Sequence, residues 1–449
     1  MAMRLPSKNL RKLSKDHNNT LEKPLDIDNE VLLHLEKIVN GGACISHNDG
    51  NVYFVNHGLP GETVKAKITS VNKHFRRAEV VEIIDRNPHR VAPPCQFAGA
   101  FGCGGCDFQH VELSYQRKMK EEVVKQCLNF IGDMDVEFKV KPPFADDNGL
   151  RWRNRIRLIA DKNGSLGMRR RHSHDVIPIT DCLISRANLE CLPPVKKNWP
   201  SGSEIELIFT EGNEITNVAY RLLTKTQKQR SGQNKVGISR KDQALPIDGA
   251  YGSYNVFDGE SKPSFFQVGS YHYRVSPASF FQVHKDGARA LLEVVLQEVA
   301  PEEGDEIADL YCGVGLFTVP LAGIIGKTGT ITGVENNYQA AEDAKYNLRE
   351  LPQAKIRHSG VTKELITTLN PRTVLLDPPR SGAGVEIISA ICQGNHRPEK
   401  IVYVSCDPAT LARDVKALIS FDYKLSNLIG LDIFPMTSHV ETIATFIKK

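Results

Sequence analysis

The sequence predicts a multidomain protein, in which an N-terminal OB-like β-barrel and a mixed α/β central domain precede a C-terminal Rossmann-like α/β domain. Three observations support this prediction. The chain of 449 residues is too long for one ordinary hydrophobic core. Short alternating runs separated by Asn-Asp-Gly and Leu-Pro-Gly turns fill residues 30–88. Beyond residue 286 strands and helices alternate, which is typical of a doubly wound parallel sheet.

Four segments follow from these patterns. Residues 1–24 are polar and basic without periodicity, which predicts a flexible arm. Residues 25–88 form the predicted barrel, a fold that often binds oligonucleotides. Residues 89–285 make the central domain, and residues 286–449 make the C-terminal domain. Apolar runs are too short to cross a bilayer and no secretory signal pattern is visible, so we expect a cytoplasmic protein without disulfides.

Positive charge is concentrated in the first 285 residues. They carry 41 Lys and Arg against 32 Asp and Glu, whereas residues 286–449 carry 16 against 21. The densest stretch, residues 151–175, places Trp152 among arginines. Such a stretch is either a solvated basic face or a surface for nucleic acid, and planar side chains among the arginines favour unpaired bases slightly. The charge pattern alone leaves both interpretations open.

Four polar or reactive side chains follow successive predicted strands of the C-terminal domain. Asp309 lies at the end of EIADLYC, before a loop with two glycines, and Glu335 ends TITGVE. Asp377 ends TVLLD, and Cys406 ends KIVYVSC. Ligands of open α/β sheets bind over the carboxyl ends of the strands. The four side chains are therefore predicted to share one edge of the sheet around a nucleotide-type cofactor.

A cysteine beside such a cofactor suggests a specific reaction. A thiolate that adds to C6 of uracil makes C5 enolate-like, so that C5 can take a methyl group from a sulfonium donor. A base must then remove the C5 proton before the cysteine can leave. Glu441, in SHVETIATF, is a carboxylate at the start of a β-rich run and is a candidate for that base, although a surface charge would give the same pattern.

These motifs resemble the S-adenosylmethionine-dependent RNA uracil-5-methyltransferases over nearly the whole chain. The similar segments are SFFQVH, DLYCGVGLFTVPLA, LLDPPR, VSCDPATLARD and HVETIATF. The resemblance implies that Cys406 is the nucleophile and Glu441 the proton-abstracting base. Leu316 departs from the family pattern, since many members have Asn at that position. The residues that the resemblance implies around S-adenosyl-L-methionine are Gln282, Tyr311, Glu335 and Asp377.

A cysteine cluster in the central domain predicts a metal centre. Cys95, Cys103 and Cys106 have the spacing C-x7-C-x2-C, and Cys182 follows further along the chain. The spacing fits zinc or an iron–sulfur cluster, and for a cytosolic chain it favours zinc. The family resemblance instead implies a 4Fe-4S cluster, although the first gap is usually two residues shorter. The remaining cysteines predicted to be packed as small apolar side chains are Cys127, Cys191, Cys312 and Cys392.

The N-terminal module resembles a TRAM domain, a small RNA-binding barrel. Together with the cysteine cluster, it makes the chain most similar to the branch that produces 5-methyluridine in 23S ribosomal RNA. The expected partner is thus RNA, with no membrane, and the expected state is a monomer. The alternatives are a tRNA uracil-5-methyltransferase, a non-catalytic RNA-binding factor for ribosome assembly, and an iron–sulfur redox sensor that binds RNA.

Overall fold

The computed structural model describes three regions of regular structure, which are an N-terminal sheet, a central antiparallel sheet and a C-terminal α/β unit. The predicted arm at 1–24 lies outside the described residues. The residues that the structure describes are 27–144, 148–171, 173–210, 215–222, 246–249, 252–259, 262–277, 279–394 and 396–449.

The predicted barrel region forms a sheet in the order β1-β5-β6-β4-β3-β2, with six strands among the described residues. The pairs are antiparallel except β4 with β6. Three register shifts between β5 and β6 are irregularities of the kind that bend a sheet. The strands are β1 Glu30–His34, β2 Lys37–Ile38, β3 Cys44–Asn48, β4 Asn51–Asn56, β5 Thr63–Val71 and β6 Arg76–Asp85.

The central region is built on an antiparallel sheet in the order β10-β9-β8-β11-β12-β14-β13, followed by the hairpin β15-β16. A 3₁₀ turn at Leu189–Cys191 leads into the short helix α2. The elements in chain order are α1 Leu113–Phe130, β7 Val140–Lys141, β8 Arg155–Ala160, β9 Leu166–Arg169, β10 Val176–Pro178, α2 Pro193–Lys196, β11 Glu204–Phe209, β12 Ile215–Leu222, β13 Pro246–Gly249, β14 Gly252–Gly259, β15 Ser264–Val268 and β16 Tyr271–Val275.

The C-terminal region is an α/β unit whose sheet has the order β19-β18-β17-β20-β21-β23-β22-β7 among the described residues. The strands from β19 to β21 are parallel, whereas β23 is antiparallel to β21 and β22. The elements are α3 Gly287–Val299, β17 Glu306–Leu310, α4 Thr318–Ile325, β18 Thr330–Glu335, α5 Tyr338–Asn347, β19 Ala354–His358, α6 Lys363–Ile366, β20 Thr373–Leu376, α7 Val385–Gln393, β21 Lys400–Ser405, α8 Pro408–Ser420, β22 Tyr423–Leu431 and β23 Glu441–Lys448.

Helix α1 and strand β7 precede the central sheet in sequence but pack against the C-terminal unit. Strand β7 extends the large sheet by pairing in parallel with β22. The apolar side of α1, including Met119 and Val124, shares one core with Leu411 and Val415 of α8. The C-terminal core is thus completed by a segment that the sequence groups with residues 89–285, because an amphipathic pattern does not identify the partner of a helix.

Several arginines of the basic stretch 151–175 are used inside the protein. Arg151 is ion-paired with Asp181, and Arg155 donates a hydrogen bond of 2.9 Å to Glu206. The Arg171 guanidinium is mostly buried against Asp107. Part of the positive charge in this stretch therefore serves folding, and the exposed remainder includes Arg169 and Arg170.

The structure also reports how deeply the cysteines are buried and how long and apolar the helices are. Cys127, Cys312 and Cys392 are buried, as expected for packed cysteines, but the prediction for Cys191 is wrong because its side chain is exposed in the 3₁₀ turn. Within the described ranges, every helix is too short or too polar to pass through a bilayer.

Candidate active site

The four predicted strand-end residues lie at one edge of the C-terminal sheet. Asp309 is the second-last residue of β17, and Glu335 is the last residue of β18. Asp377 and Cys406 directly follow β20 and β21. Since these strands are parallel neighbours, their carboxyl ends meet at the same edge. The alternation of apolar strands and helices was sufficient to predict this arrangement.

The loop after β17 is open and is fastened to Glu335. The Glu335 carboxylate accepts hydrogen bonds from the backbone N–H of Gly313, at 3.0 Å, and of Asn337, at 2.6 Å. Gly313 has φ 56°, and no atom lies within 4 Å of where a Cβ would be, so a ligand can approach the backbone. Tyr311 also has positive φ, 66°, a conformation that costs energy and is concentrated at functional sites.

Three carboxyl groups crowd together beneath this loop. Asp309 is fully buried, and one of its oxygens accepts a hydrogen bond of 2.5 Å from the Thr318 hydroxyl, while the other has no partner among the described residues. Burial raises the pKa of Asp309 to about 7, and the Glu335 charge adds to the effect. Burial, followed by the charges of Asp309 and Glu335, raises the pKa of Asp377 to about 7. A positively charged ligand would relieve this repulsion.

Cys406 and Glu441 face each other across two paired strands. Strand β21 ends at Ser405, which is in register with Thr442 of β23, and the Thr442 hydroxyl donates to the Ser405 carbonyl at 2.9 Å. Burial, then the Glu441 and Asp377 charges, raises the pKa of the Cys406 thiol to about 12. Burial and Asp377 also raise the pKa of Glu441 well above its usual value. Burial therefore keeps the Cys406 thiol protonated at neutral pH before substrates bind, and it disfavours the charged form of Glu441.

A cationic side chain beside this pair was not singled out from the sequence. The Arg380 guanidinium lies 2.9 Å from the Nε2 atom of His439, and its charge lowers the pKa of both Cys406 and Glu441. Burial, together with Arg380, lowers the pKa of His439 to about 4, so the imidazole is neutral. Arg380 ends the motif LLDPPR, and His439 lies in SHVETIATF. Their place in these motifs is the feature of the sequence that could have identified them as site residues.

Helix α8 fixes the nucleophile to the Asp377 loop. Asp407 caps this helix by accepting hydrogen bonds of 3.0 Å from two backbone N–H groups, and Pro408 occupies its first turn. Asp414, about two turns further, is buried and accepts from the Ala383 N–H at 3.0 Å and from the Tyr403 hydroxyl at 2.7 Å. The loop after Asp377 and the start of α8 therefore form one rigid unit.

Gln282 lies in the segment between β16 and α3 rather than at the end of a strand of the large sheet. It lines a pocket of about 380 Å³ together with Asn154, Arg186, Lys285 and Arg289. Among the described lining residues of this pocket, none belongs to the strand-end group. The contact of Gln282 with the cofactor therefore stays a prediction.

The four cysteines of the predicted metal centre line one cavity of about 110 Å³. The backbone N–H of Gly105 donates to the Cys103 sulfur, and the Gln109 amide donates to the Cys106 sulfur, both at 3.4 Å. In the part of the chain that is described, no group of three or more His, Cys, Asp or Glu side chains is arranged to hold a metal ion. The cavity therefore brings Cys95, Cys103, Cys106 and Cys182 together without establishing a centre.

Comparisons with known proteins agree with this fold. The family model for tRNA (uracil-5-)-methyltransferases matches residues 265–449, and the TRAM domain model matches residues 30–81. A crystal structure of the tRNA (uracil-54, C5)-methyltransferase of Pyrococcus abyssi, in complex with S-adenosyl-L-homocysteine, shares the fold with a TM-score of 0.65. Its sequence is 24% identical, and the match covers 93% of this chain and 99% of that one.

Two relatives with curated names match over almost their whole length. An uncharacterised RNA methyltransferase of Streptomyces coelicolor is 34% identical over 93% of each chain. The 23S rRNA (uracil(1939)-C(5))-methyltransferase RlmD of Hahella chejuensis is 31% identical over 93% of this chain and 97% of its own. Fold and similarity together define an RNA methyltransferase. The chain belongs to the RNA uracil-5-methyltransferase family.

Proposed function

We propose that this protein transfers a methyl group from S-adenosyl-L-methionine to C5 of a uridine in 23S ribosomal RNA through a covalent bond between Cys406 and C6. The observation that carries the proposal is the pairing of β21 with β23, which sets a partly buried thiol and a buried carboxyl group at adjacent positions. A protein that only bound RNA would have no need for this pair.

The residues divide the reaction between them. The Cys406 sulfur adds to C6, and the C5=C6 electron pair then forms the new bond from C5 to the methyl group. Glu441 accepts the proton from C5, the double bond re-forms, and the bond from sulfur to C6 breaks. S-Adenosyl-L-methionine would supply the methyl group from its positively charged sulfonium, and the bond from that sulfur to the methyl carbon would break to leave a neutral thioether. Arg380 stabilises the anionic forms of both groups while they act.

The strand-end residues fit a nucleoside cofactor with a positive charge. Glu335, held by two backbone N–H groups, is placed where a carboxylate can bind ribose hydroxyls. Tyr311 lies beside the open loop, and the unpaired oxygen of Asp309 and the raised pKa of Asp377 favour a cationic ligand. Gln282 would complete the site where the cofactor extends toward α3.

Ribosomal RNA is favoured over tRNA by the named relative RlmD, and the N-terminal TRAM domain supports an RNA substrate in general. The barrel at 25–88 and the central domain at 89–285 would bind RNA, with the arm at 1–24 adding phosphate contacts, while residues 286–449 carry the chemistry. A cytoplasmic monomer suits these roles. The match of the catalytic region to a tRNA family model keeps a tRNA substrate as the second candidate.

The substrate is tested by methylation of RNA in vitro. Purified protein with labelled S-adenosyl-L-methionine should transfer label to 23S rRNA from a strain that lacks the encoding gene, and nuclease digestion should yield 5-methyluridine. Transcripts of the tRNA pool serve as the comparison. Label in tRNA without label in 23S rRNA would replace the ribosomal proposal by the tRNA one.

We also propose that the four cysteines hold a 4Fe-4S cluster. The donor set fits, because four thiol groups surround one cavity, and the Gly105 N–H already points at one of the sulfurs. When bound, the cluster would cross-link residues 95–106 to Cys182.

Anaerobically purified protein is expected to be brown and to contain iron and acid-labile sulfide in nearly equal amounts. Changing Cys103 or Cys182 to Ser should remove most of the iron, because each would supply one ligand. The matched control is Cys191→Ser, since Cys191 is exposed and lies outside the cavity. Stoichiometric zinc without iron would refute the cluster but keep the ligand set.

A further inference from the structure

We propose that two buried histidines, His57 and His110, bind a divalent transition-metal ion such as Zn²⁺ in a pocket between the barrel and the segment that precedes α1. This histidine pocket has a volume of about 200 Å³, and both rings line it together with Gln109. Its described lining residues include none of the strand-end residues, so the site goes beyond the proposed methyl transfer.

Three buried side chains of the histidine pocket each have a polar atom without a partner. His57, His110 and Gln109 are 8%, 5% and 3% exposed. Among the residues that the structure describes, no hydrogen bond reaches the Nε2 atom of either ring or the Oε1 atom of the amide. A buried polar atom without a partner is costly, so this group needs a ligand or water to complete it.

The other nitrogen of each ring is already used. Nδ1 of His57 lies 2.7 Å from the Glu79 carboxylate, which only accepts, so Nδ1 carries the proton and the neutral ring has a lone pair at Nε2. The His110 ring donates to the Gly58 backbone carbonyl, and burial followed by the Arg90 charge lowers its pKa to about 3. Histidines that bind metals are usually fixed in this way, by a carboxylate or a backbone carbonyl on the second nitrogen.

The two rings are close enough to share one ion. Their centroids are 5.9 Å apart, and their planes are inclined at 57°. With metal–nitrogen bonds of about 2 Å, two imidazoles on one ion have centroids roughly 5–6 Å apart. Oε1 of Gln109 is the third donor, and the remaining position is open to water. Nitrogen donors favour Zn²⁺ and similar ions, whereas Ca²⁺ and Mg²⁺ prefer oxygen.

The charges around the histidine pocket accommodate a cation. Arg90 is paired with Glu62 at 2.6 Å, and Arg171 is paired with Asp107. Each of these pairs balances itself, which leaves the Glu79 carboxyl group behind the first histidine to offset a positive ion.

A metal ion here joins two parts of the fold. His57 directly follows β4 of the barrel, and His110 lies shortly before α1. Cys106 and Gln109 line both the histidine pocket and the cysteine cavity. The ion therefore fastens the barrel to the segment that carries Cys103 and Cys106.

The test is a calorimetric titration of the anaerobically purified whole chain with Zn²⁺. The wild type should bind one equivalent more than His110→Gln. Glu79→Gln should bind that equivalent about 10–100-fold more weakly, the usual loss when the partner of a histidine ligand is removed. The matched control is His47→Gln, because His47 also faces a carboxylate, Glu36 at 2.9 Å, but is exposed and outside the pocket. It should bind like the wild type, and zinc held by the cysteine cavity cancels in every comparison.

Co²⁺ in place of Zn²⁺ identifies the donor atoms. The difference spectrum between the wild type and His110→Gln should show weak visible bands without the intense sulfur-to-metal charge-transfer bands of a cysteine site. Such sulfur bands in the difference spectrum would assign the extra ion to the cysteines and overturn the inference. Equal stoichiometry in the two proteins would also overturn it and leave the histidine pocket to ordered water. If His110→Gln does not fold, Glu79→Gln keeps the test, since it preserves the shape of the side chain and a wild-type affinity would refute the site.

Discussion

Replacing Cys406 by Ala is expected to abolish methyl transfer and the covalent complex with RNA, while RNA and cofactor still bind. The thiol is the group positioned to attack C6, and its removal leaves no nucleophile at the end of β21. With RNA containing 5-fluorouridine and S-adenosyl-L-methionine, the wild type should give a complex that survives denaturing gels. Fluorine cannot leave C5 as a proton, so the intermediate persists.

The matched control is Cys392→Ala, which removes a buried cysteine of α7 outside the site and should trap RNA like the wild type. The wild-type rate of trapping should rise with pH, because burial raises the pKa of Cys406 to about 12 and each increase in pH enlarges the thiolate fraction. Trapping by Cys406→Ala at the wild-type rate would disprove its role as the nucleophile.

Glu441→Gln should slow release rather than attack. The amide cannot take the C5 proton, so the complex with ordinary uridine should accumulate on denaturing gels, and turnover should fall by roughly 10²-fold or more. The substitution removes a carboxyl group that is 3% exposed and next to Asp377, so it should not lower stability through lost charge pairing.

Glu399→Gln provides the comparison, because Glu399 is an exposed carboxylate just before β21 that is paired with Arg372 on the surface. It should keep wild-type turnover. Single-turnover measurements separate the steps, since methyl transfer to C5 should stay fast in Glu441→Gln while product release is slow. Near-normal turnover of Glu441→Gln would make Glu441 a structural residue.

The edge of the sheet that carries the candidate site was predictable, because the carboxyl ends of parallel strands lie at one edge. The apolar runs that end at Asp309, Glu335, Asp377 and Cys406 are local patterns, and the geometry of a parallel sheet brings their ends together. Strands β19 and β22 were not identified, since AKIRH is short and half polar and YKLSNLIGL lacks strict alternation. The reversed direction of β23 was likewise not apparent from local sequence.

Ion pairs between residues that are far apart in the chain could not be predicted from the sequence. The sequence left open what Arg151 and Arg171 bind, and the fold pairs them with Asp181 and Asp107, which are distant in the chain. Similarly, Arg380 could not be assigned a neighbour before β23 placed His439 next to it. Local patterns predict which residues reach the end of a strand, but the pairing of charges depends on loops from distant parts of the chain.

The attachment of α1 and β7 to the C-terminal unit has a consequence for synthesis. Gln116 of α1 accepts a hydrogen bond from the Met436 N–H, and these residues are 320 positions apart. At roughly 5–20 residues per second, about 15–65 s of translation separate them. The apolar side of α1 must remain without its native partner during that time. The enzyme that we propose to modify ribosomal RNA therefore completes its own catalytic unit only after the ribosome has added Met436, and chaperones that shield nascent chains would be needed at α1 until then.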